Sequence, residues 1–141
     1  MYLNRVFNCS VEALFQWMVD PVLLAQWFGP KHLAVGQIEN VLEEGGPYRI
    51  ELRKVNENSF FIEGEYLKIK KPHQLVFSYH YRGLKNPPPD SIVEISLLPL
   101  GDKQTKLSLI QRFSSVPLDL DTRTQAWEYM FSILEMNLLS H

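Results

Sequence analysis

The stretch LDTRTQAWEYMFSILEMNLL, residues 120–139, decides how the chain is read. At about 100° per residue, Leu120, Trp127, Phe131, Leu134 and Leu138 fall on one stripe, widened by Ala126, Met130 and Ile133. Asp121, Gln125, Glu128, Ser132 and Glu135 fall opposite it. The spacing predicts a helix over 120–139 with one wide apolar face. Each large side chain buried on such a face contributes about 1.5–3 kcal/mol, so the face demands a partner surface of similar extent.

The preceding chain supplies strands for that purpose. Residues 35–42, 48–53, 60–69, 73–81, 91–98 and 105–113 read as a six-stranded antiparallel run, separated by turn signals such as Gly45-Gly46-Pro47, Asn56-Glu57-Asn58 and Gly101-Asp102. Tyr48, Ile50 and Leu52 alternate with charged residues. Leu75, Phe77, Tyr79 and Tyr81 share one face, as do Leu107, Leu109, Gln111 and Phe113. Gly64 interrupts the third of these strands and predicts a bulge or bend there. The loop 82–90 carries Pro87-Pro88-Pro89, which is stiff and cannot pair as a strand. Upstream, residues 2–7 form a first strand. Two short helices follow, 11–19 capped by Asn8 or Ser10, and 21–26 opened by Asp20-Pro21 and stopped by Gly29-Pro30. The expected architecture is α+β in one domain over 1–141: a strand, two short helices, the six-stranded run, and a long C-terminal helix packed in the curved sheet. A sheet curled around one helix leaves a space between them, the default position for a ligand.

Composition narrows the functional classes. With 45 % hydrophobic and 21 % charged residues the balance is that of a globular domain. The net charge of −2 and scattered basic residues give no nucleic-acid face; Lys68, Lys70 and Lys71 read as the solvated end of a strand. The one cysteine, Cys9, excludes an internal disulfide and fits a reducing compartment. No apolar run reaches the ~20 residues of a membrane span, and the opening residues 1–5 lack the order of a secretory signal. A cytoplasmic protein is the expectation.

Several stretches, in order and spacing, resemble a known family. Asp20-Pro21-Val22-Leu23-Leu24-Ala25-Gln26-Trp27-Phe28-Gly29-Pro30 is similar to the "DPE-L-x-x-WWGP" signature of the family related to the activator of Hsp90 ATPase, within the START/Bet v 1-like (SRPBCC, helix-grip) superfamily. Arg5-Val6-Phe7, the Gly45-Gly46-Pro47-Tyr48-Arg49 turn and the pair Gly64-Glu65-Tyr66 and Pro72-His73-Gln74-Leu75-Val76-Phe77 match further motifs. Thr105-Lys106-Leu107-Ser108-Leu109 and Trp127 complete the set. The resemblance spans essentially the whole chain. Departures fall at Glu43, where a basic residue is common, at Gln111, where histidine is common, and at Ala126, where glycine often precedes the tryptophan. The resemblance implies a helix-grip fold, a link to stress response, and contact with an Hsp90-type chaperone. It also implies cyclase-, isomerase- or hydrolase-like chemistry as an alternative use of the cavity.

The residues themselves favour binding of a small hydrophobic or amphipathic molecule over catalysis. Trp27 and Phe28 either line the cavity mouth or plug the end of the sheet as core. Tyr48, Tyr66, Phe77, Tyr79 and Tyr81 can present rings and hydroxyls to the lumen. Gln111 faces inward, where an unpaired amide costs roughly 1–3 kcal/mol. It therefore bonds neighbouring backbone or a buried water, or else meets a ligand. Arg123 shares the arc of Trp127, Met130 and Leu134, and either anchors an anion or carbonyl in the cavity or snorkels to solvent. The four histidines, His32, His73, His80 and His141, show no metal-ligand spacing. Cys9 sits at a helix start, which lowers a thiol pKa, yet it also reads as a small buried residue. No catalytic motif, metal or cofactor is expected, the ligand's identity is left unspecified, and homodimerisation is left open.

Overall fold

The computed structural model describes residues 1–140; His141 lies outside them. Seven antiparallel strands form one sheet in the order β1-β7-β6-β5-β4-β3-β2: β1 Tyr2–Phe7, β2 Ala34–Asn40, β3 Pro47–Arg53, β4 Phe60–Lys70, β5 Gln74–Arg82, β6 Ser91–Gly101 and β7 Gln104–Phe113. Strands β2 to β7 are a meander, each paired with its sequence neighbour, and β1 closes the far side by pairing with β7 from Tyr2↔Ile110 to Phe7↔Thr105. Helices α1 (Val11–Val19) and α2 (Pro21–Leu24) connect the two edge strands, and α3 (Leu120–Leu139) ends the fold. The architecture is the helix-grip arrangement expected from the alternation of the strands and the apolar face of the last helix.

Local chemistry explains the helix ends. Ser10 Oγ accepts from Ala13 N at 3.1 Å, and Asp20 Oδ1 accepts from Val22 N at 2.9 Å, with Pro21 pre-set for the first turn of α2. Helix α2 stops at Leu24, two residues before the expected end at Gln26. Beyond it the chain tightens so that both Trp27 and Phe28 are buried, and the Trp27 indole N–H donates to Trp17 O at 2.9 Å. Two consecutive aromatics cannot both stay on one narrow helical stripe.

Gly64 of β4 packs directly against Ser78 of β5. A Cβ at Gly64 would overlap the Ser78 carbonyl, so only glycine permits this approach. The Ser78 carbonyl accepts from the Tyr48 hydroxyl at 2.6 Å, and Ser78 Oγ accepts from Glu65 N at 2.9 Å. Gly64 is therefore a point of close strand approach, and the irregularity expected at it is displaced along the strand. The register slip lies slightly later, between Tyr66 and Lys68, and leaves Leu67 exposed.

Helix α3 buries Trp127, Met130, Phe131 and Leu134 against the concave face. Phe131 meets the Phe7 ring edge-on at 5.8 Å, and Arg5 reaches across from β1 to Glu135 at 2.7 Å and Ser132 at 3.2 Å. Leu120, expected on the apolar stripe, is 39 % exposed because the helix stands away from the sheet over its first turns.

Candidate functional site

The space between the sheet and α3 is divided unevenly. Where the rings of Trp27, Phe28, Tyr48, Tyr66, Phe77, Tyr79 and Trp127 converge, only about 40 Å³ remains, little more than one water's share of liquid volume. The rings fill that region themselves. Trp127 lies 6.0 Å from Tyr79, 6.1 Å from Phe28 and 5.8 Å from Phe131, and Tyr48 lies 5.5 Å from Phe77 and 5.6 Å from Tyr66. These separations are those of packed aromatic pairs. The expected lumen is here core.

The larger opening lies at the N-terminal half of α3, a cleft of about 930 Å³. Its floor is the concave face of three strands: Leu52 of β3, Phe60 and Ile62 of β4, and Tyr81 of β5. Its wall is α3 from Thr122 to Tyr129. Three loops, 30–33, 84–89 and 115–119, form the rim, and the triple proline gives one side of that rim a fixed shape. Val116 and Leu118 stand almost fully exposed there. The volume falls in the range of small-molecule sites, about 300–1,000 Å³.

Arg123 supplies the polar feature of this cleft. Its Nη1 donates to the Tyr81 hydroxyl at 3.0 Å, and Nη2 pairs with Asp119 at 3.3 Å, one helical turn away. Nε is sealed from solvent and has no hydrogen-bond partner. An orphaned buried donor costs roughly 1–3 kcal/mol, and because Nε is sealed, an acceptor from the cleft reaches it only when a side chain over it moves.

Of the residues singled out in the sequence, Tyr81 and Arg123 line this cleft, and seven others crowd the small void. Gln111 does neither. Its Oε1 accepts from the Trp127 indole at 2.9 Å, and its Nε2 donates to Ser91 Oγ at 2.9 Å. The inward amide is thus satisfied by side chains, neither by the backbone or water foreseen for it nor by a ligand. Met130 accepts at Sδ from Gly29 N, 3.1 Å away, and belongs to the packing between α3 and the α2–β2 loop. The hydroxyls of Tyr48 and Tyr66 are likewise engaged, Tyr66 accepting from Asn40 Nδ2 at 2.9 Å. Burial pushes the Tyr48 and Tyr79 hydroxyls well above the ordinary tyrosine range, so both stay protonated at neutral pH. Burial also pushes the Cys9 thiol up, the opposite of the lowering a helix start would give. Among the described residues no three His, Cys, Asp or Glu side chains are placed to hold a metal ion.

Sequence reasoning missed most of the cleft lining. Leu52 was in phase with Tyr48 and Ile50 and was available to it; Val116 and Leu118 sit in a loop without periodicity and gave no signal. A shallower groove of about 580 Å³ crosses the sheet around Gly64. There Glu63 is bound by Arg82 at 2.9 Å and by Arg49 at 3.5 Å, and Arg49 lies over the Phe61 ring.

Among the described residues no helix is long and apolar enough to cross a membrane. No curated protein matches the chain at a significant level. Solved structures share the fold. A Chromobacterium violaceum protein superposes with a TM-score of 0.85 at 21 % identity over 96 % of this chain and 94 % of its own. The AHSA1 protein of Silicibacter pomeroyi gives 0.80 at 24 % identity, covering 100 % and 99 %. A Nitrosomonas europaea protein gives 0.80 at 19 % identity, covering 99 % and 94 %. The sequence profile of the activator of Hsp90 ATPase homolog 1-like proteins matches residues 8–138. With nearly the whole chain matched and the helix-grip architecture in place, the protein belongs to the activator of Hsp90 ATPase homolog 1-like family.

Proposed function

We propose that the protein binds a small amphipathic molecule in the cleft between the concave sheet and the N-terminal half of α3. The observation that carries this reading is the cleft itself: about 930 Å³, with an apolar floor of Leu52, Phe60 and Ile62 and a half-buried basic group, Arg123, at its wall. An apolar surface with few convergent polar groups is the make-up of small-molecule sites. Trp27, Phe28, Tyr48, Tyr66, Phe77, Tyr79, Trp127, Gln111 and Met130 act in this reading as the packed support of the cleft, and Tyr81 and Arg123 touch the ligand. Thermal unfolding across a panel of lipids, flavonoids and polyketide-like compounds tests it. A ligand at a hundred times its Kd stabilises by about 2.7 kcal/mol, which raises Tm by several degrees. No shift with any compound at saturation contradicts the reading.

A second reading is contact with an Hsp90-type chaperone, supported by the family membership and by the exposed apolar pair Val116 and Leu118 on the rim. Pull-down combined with stimulation of the chaperone's ATPase decides it, and silence in both removes it. A catalytic use of the cavity has less support, since the tyrosines with raised pKa, Tyr48, Tyr66 and Tyr79, lie outside the cleft lining.

A further inference from the structure

Resting on the reading of the cleft as a ligand site, we propose that its ligand is an anionic amphiphile. A carboxylate or sulfonate head sits on Arg123 and an apolar body lies over Leu52, Phe60 and Ile62. The first argument is the state of the guanidinium. A carboxylate facing arginine side-on takes the two parallel donors Nε and Nη2. Here Asp119 takes only Nη2, at 3.3 Å, and Nε is left without an acceptor although it is sealed from water. Asp119 is itself 45 % exposed at the start of α3, so it is free to yield Nη2 to an incoming oxyanion. Nη1 is meanwhile fixed on the Tyr81 hydroxyl at 3.0 Å, which sets the plane of the guanidinium.

The second argument is charge. The chain carries a net −2, yet the cleft is lined by Lys31, Lys54 and Arg123 against Asp119 alone, three positive charges less one negative, or +2. Lys31 and Lys54 are exposed at the rim while Arg123 is mostly buried at the wall, so the positive potential continues from the entrance to the anchor. Charge of one sign inside a low-dielectric cleft concentrates ligands of the other sign. The apolar floor rejects a bare inorganic anion as the best occupant and selects one with a hydrophobic body.

Two fluorescent probes separate this inference from the reading beneath it. N-phenyl-1-naphthylamine and 8-anilinonaphthalene-1-sulfonate share one ring system and differ by the sulfonate. Both should bind the folded protein, the sulfonate at least tenfold more tightly. Arg123→Met should abolish that advantage while leaving the neutral probe within twofold, and Arg123→Lys should restore part of it. Lys54→Glu, an exposed rim change that leaves the packing intact, should weaken the sulfonate several-fold and the neutral probe not at all. Equal affinities for the two probes in the wild type, or equal losses for both in Arg123→Met and Lys54→Glu, would overturn the anionic assignment while sparing the cleft. Binding of neither probe would overturn the cleft reading as well.

Discussion

From Trp127 onward α3 is sealed against the sheet, with Phe131 2 % and Leu134 0 % exposed; over Leu120 to Ala126 the same helix stands off from it. The two halves share one backbone geometry and one concave partner. They differ in what fills the gap. In the C-terminal half, Trp27, Phe28, Tyr79 and Trp127 interlock and leave about 40 Å³. In the N-terminal half the helix offers Thr122 and Ala126, too small to reach the floor, and Arg123, which meets it only at the Tyr81 hydroxyl, and about 930 Å³ stays open. One half holds the helix in place so that the other half can afford a vacancy.

Mutations sharpen the contrast most. Phe131→Ala should cost about 3–5 kcal/mol, because a ring packed on all sides leaves a cavity, whereas Leu118→Ala on the open rim should stay within about 0.5 kcal/mol. Chemical denaturation of the pair measures both, and comparable losses would erase the distinction. Gln111→Leu should cost about 1–3 kcal/mol, since it strands the Trp127 indole N–H at 2.9 Å from its lost acceptor inside the packed half.

Alkaline pH probes the same half. Tyr48 and Tyr79 have folded-state pKa values raised above the unfolded value of about 10, chiefly by burial. Stability should therefore be fully present below about pH 10 and fall as pH climbs past it, by on the order of 1 kcal/mol per pH unit for each tyrosine. Tm followed with tyrosinate absorbance between pH 8 and 11.5 checks this; a flat profile contradicts it. The smallest effect is expected at the outer clamp. Arg5→Ala removes a partly exposed pair with Glu135 and should cost at most about 1 kcal/mol, with the open half unaffected in ligand binding.

The sequence was most informative where periodicity and burial coincide. The strand phases of Phe77, Tyr79, Leu107 and Leu109, and the stripe Trp127, Phe131 and Leu134, follow from side-chain spacing because one face of each element is buried. The same logic leaves the aromatic residues open between lining and core, since inward orientation is common to a core ring and a ligand-contacting ring. Which of the two a ring becomes depends on distances between elements, and those are set by the sum of side-chain volumes across the gap. Leu67 shows the same limit at smaller scale: Gly64 signals an irregularity in the strand, but the residue that slips is fixed by the pairing with the neighbouring strand. Arg123 was legible as a polar residue on an apolar arc, but its half-occupied donor edge was not, because Asp119 and Tyr81 meet it only in three dimensions.

The most direct measurement is a methyl-resolved NMR titration of the protein with N-phenyl-1-naphthylamine, which reads both halves in one experiment. Saturable shifts are expected at Leu52, Ile62, Leu118 and Ala126, with Leu109 and Leu134 unmoved. Shifts centred on the packed half, or none at saturating probe, would contradict that expectation.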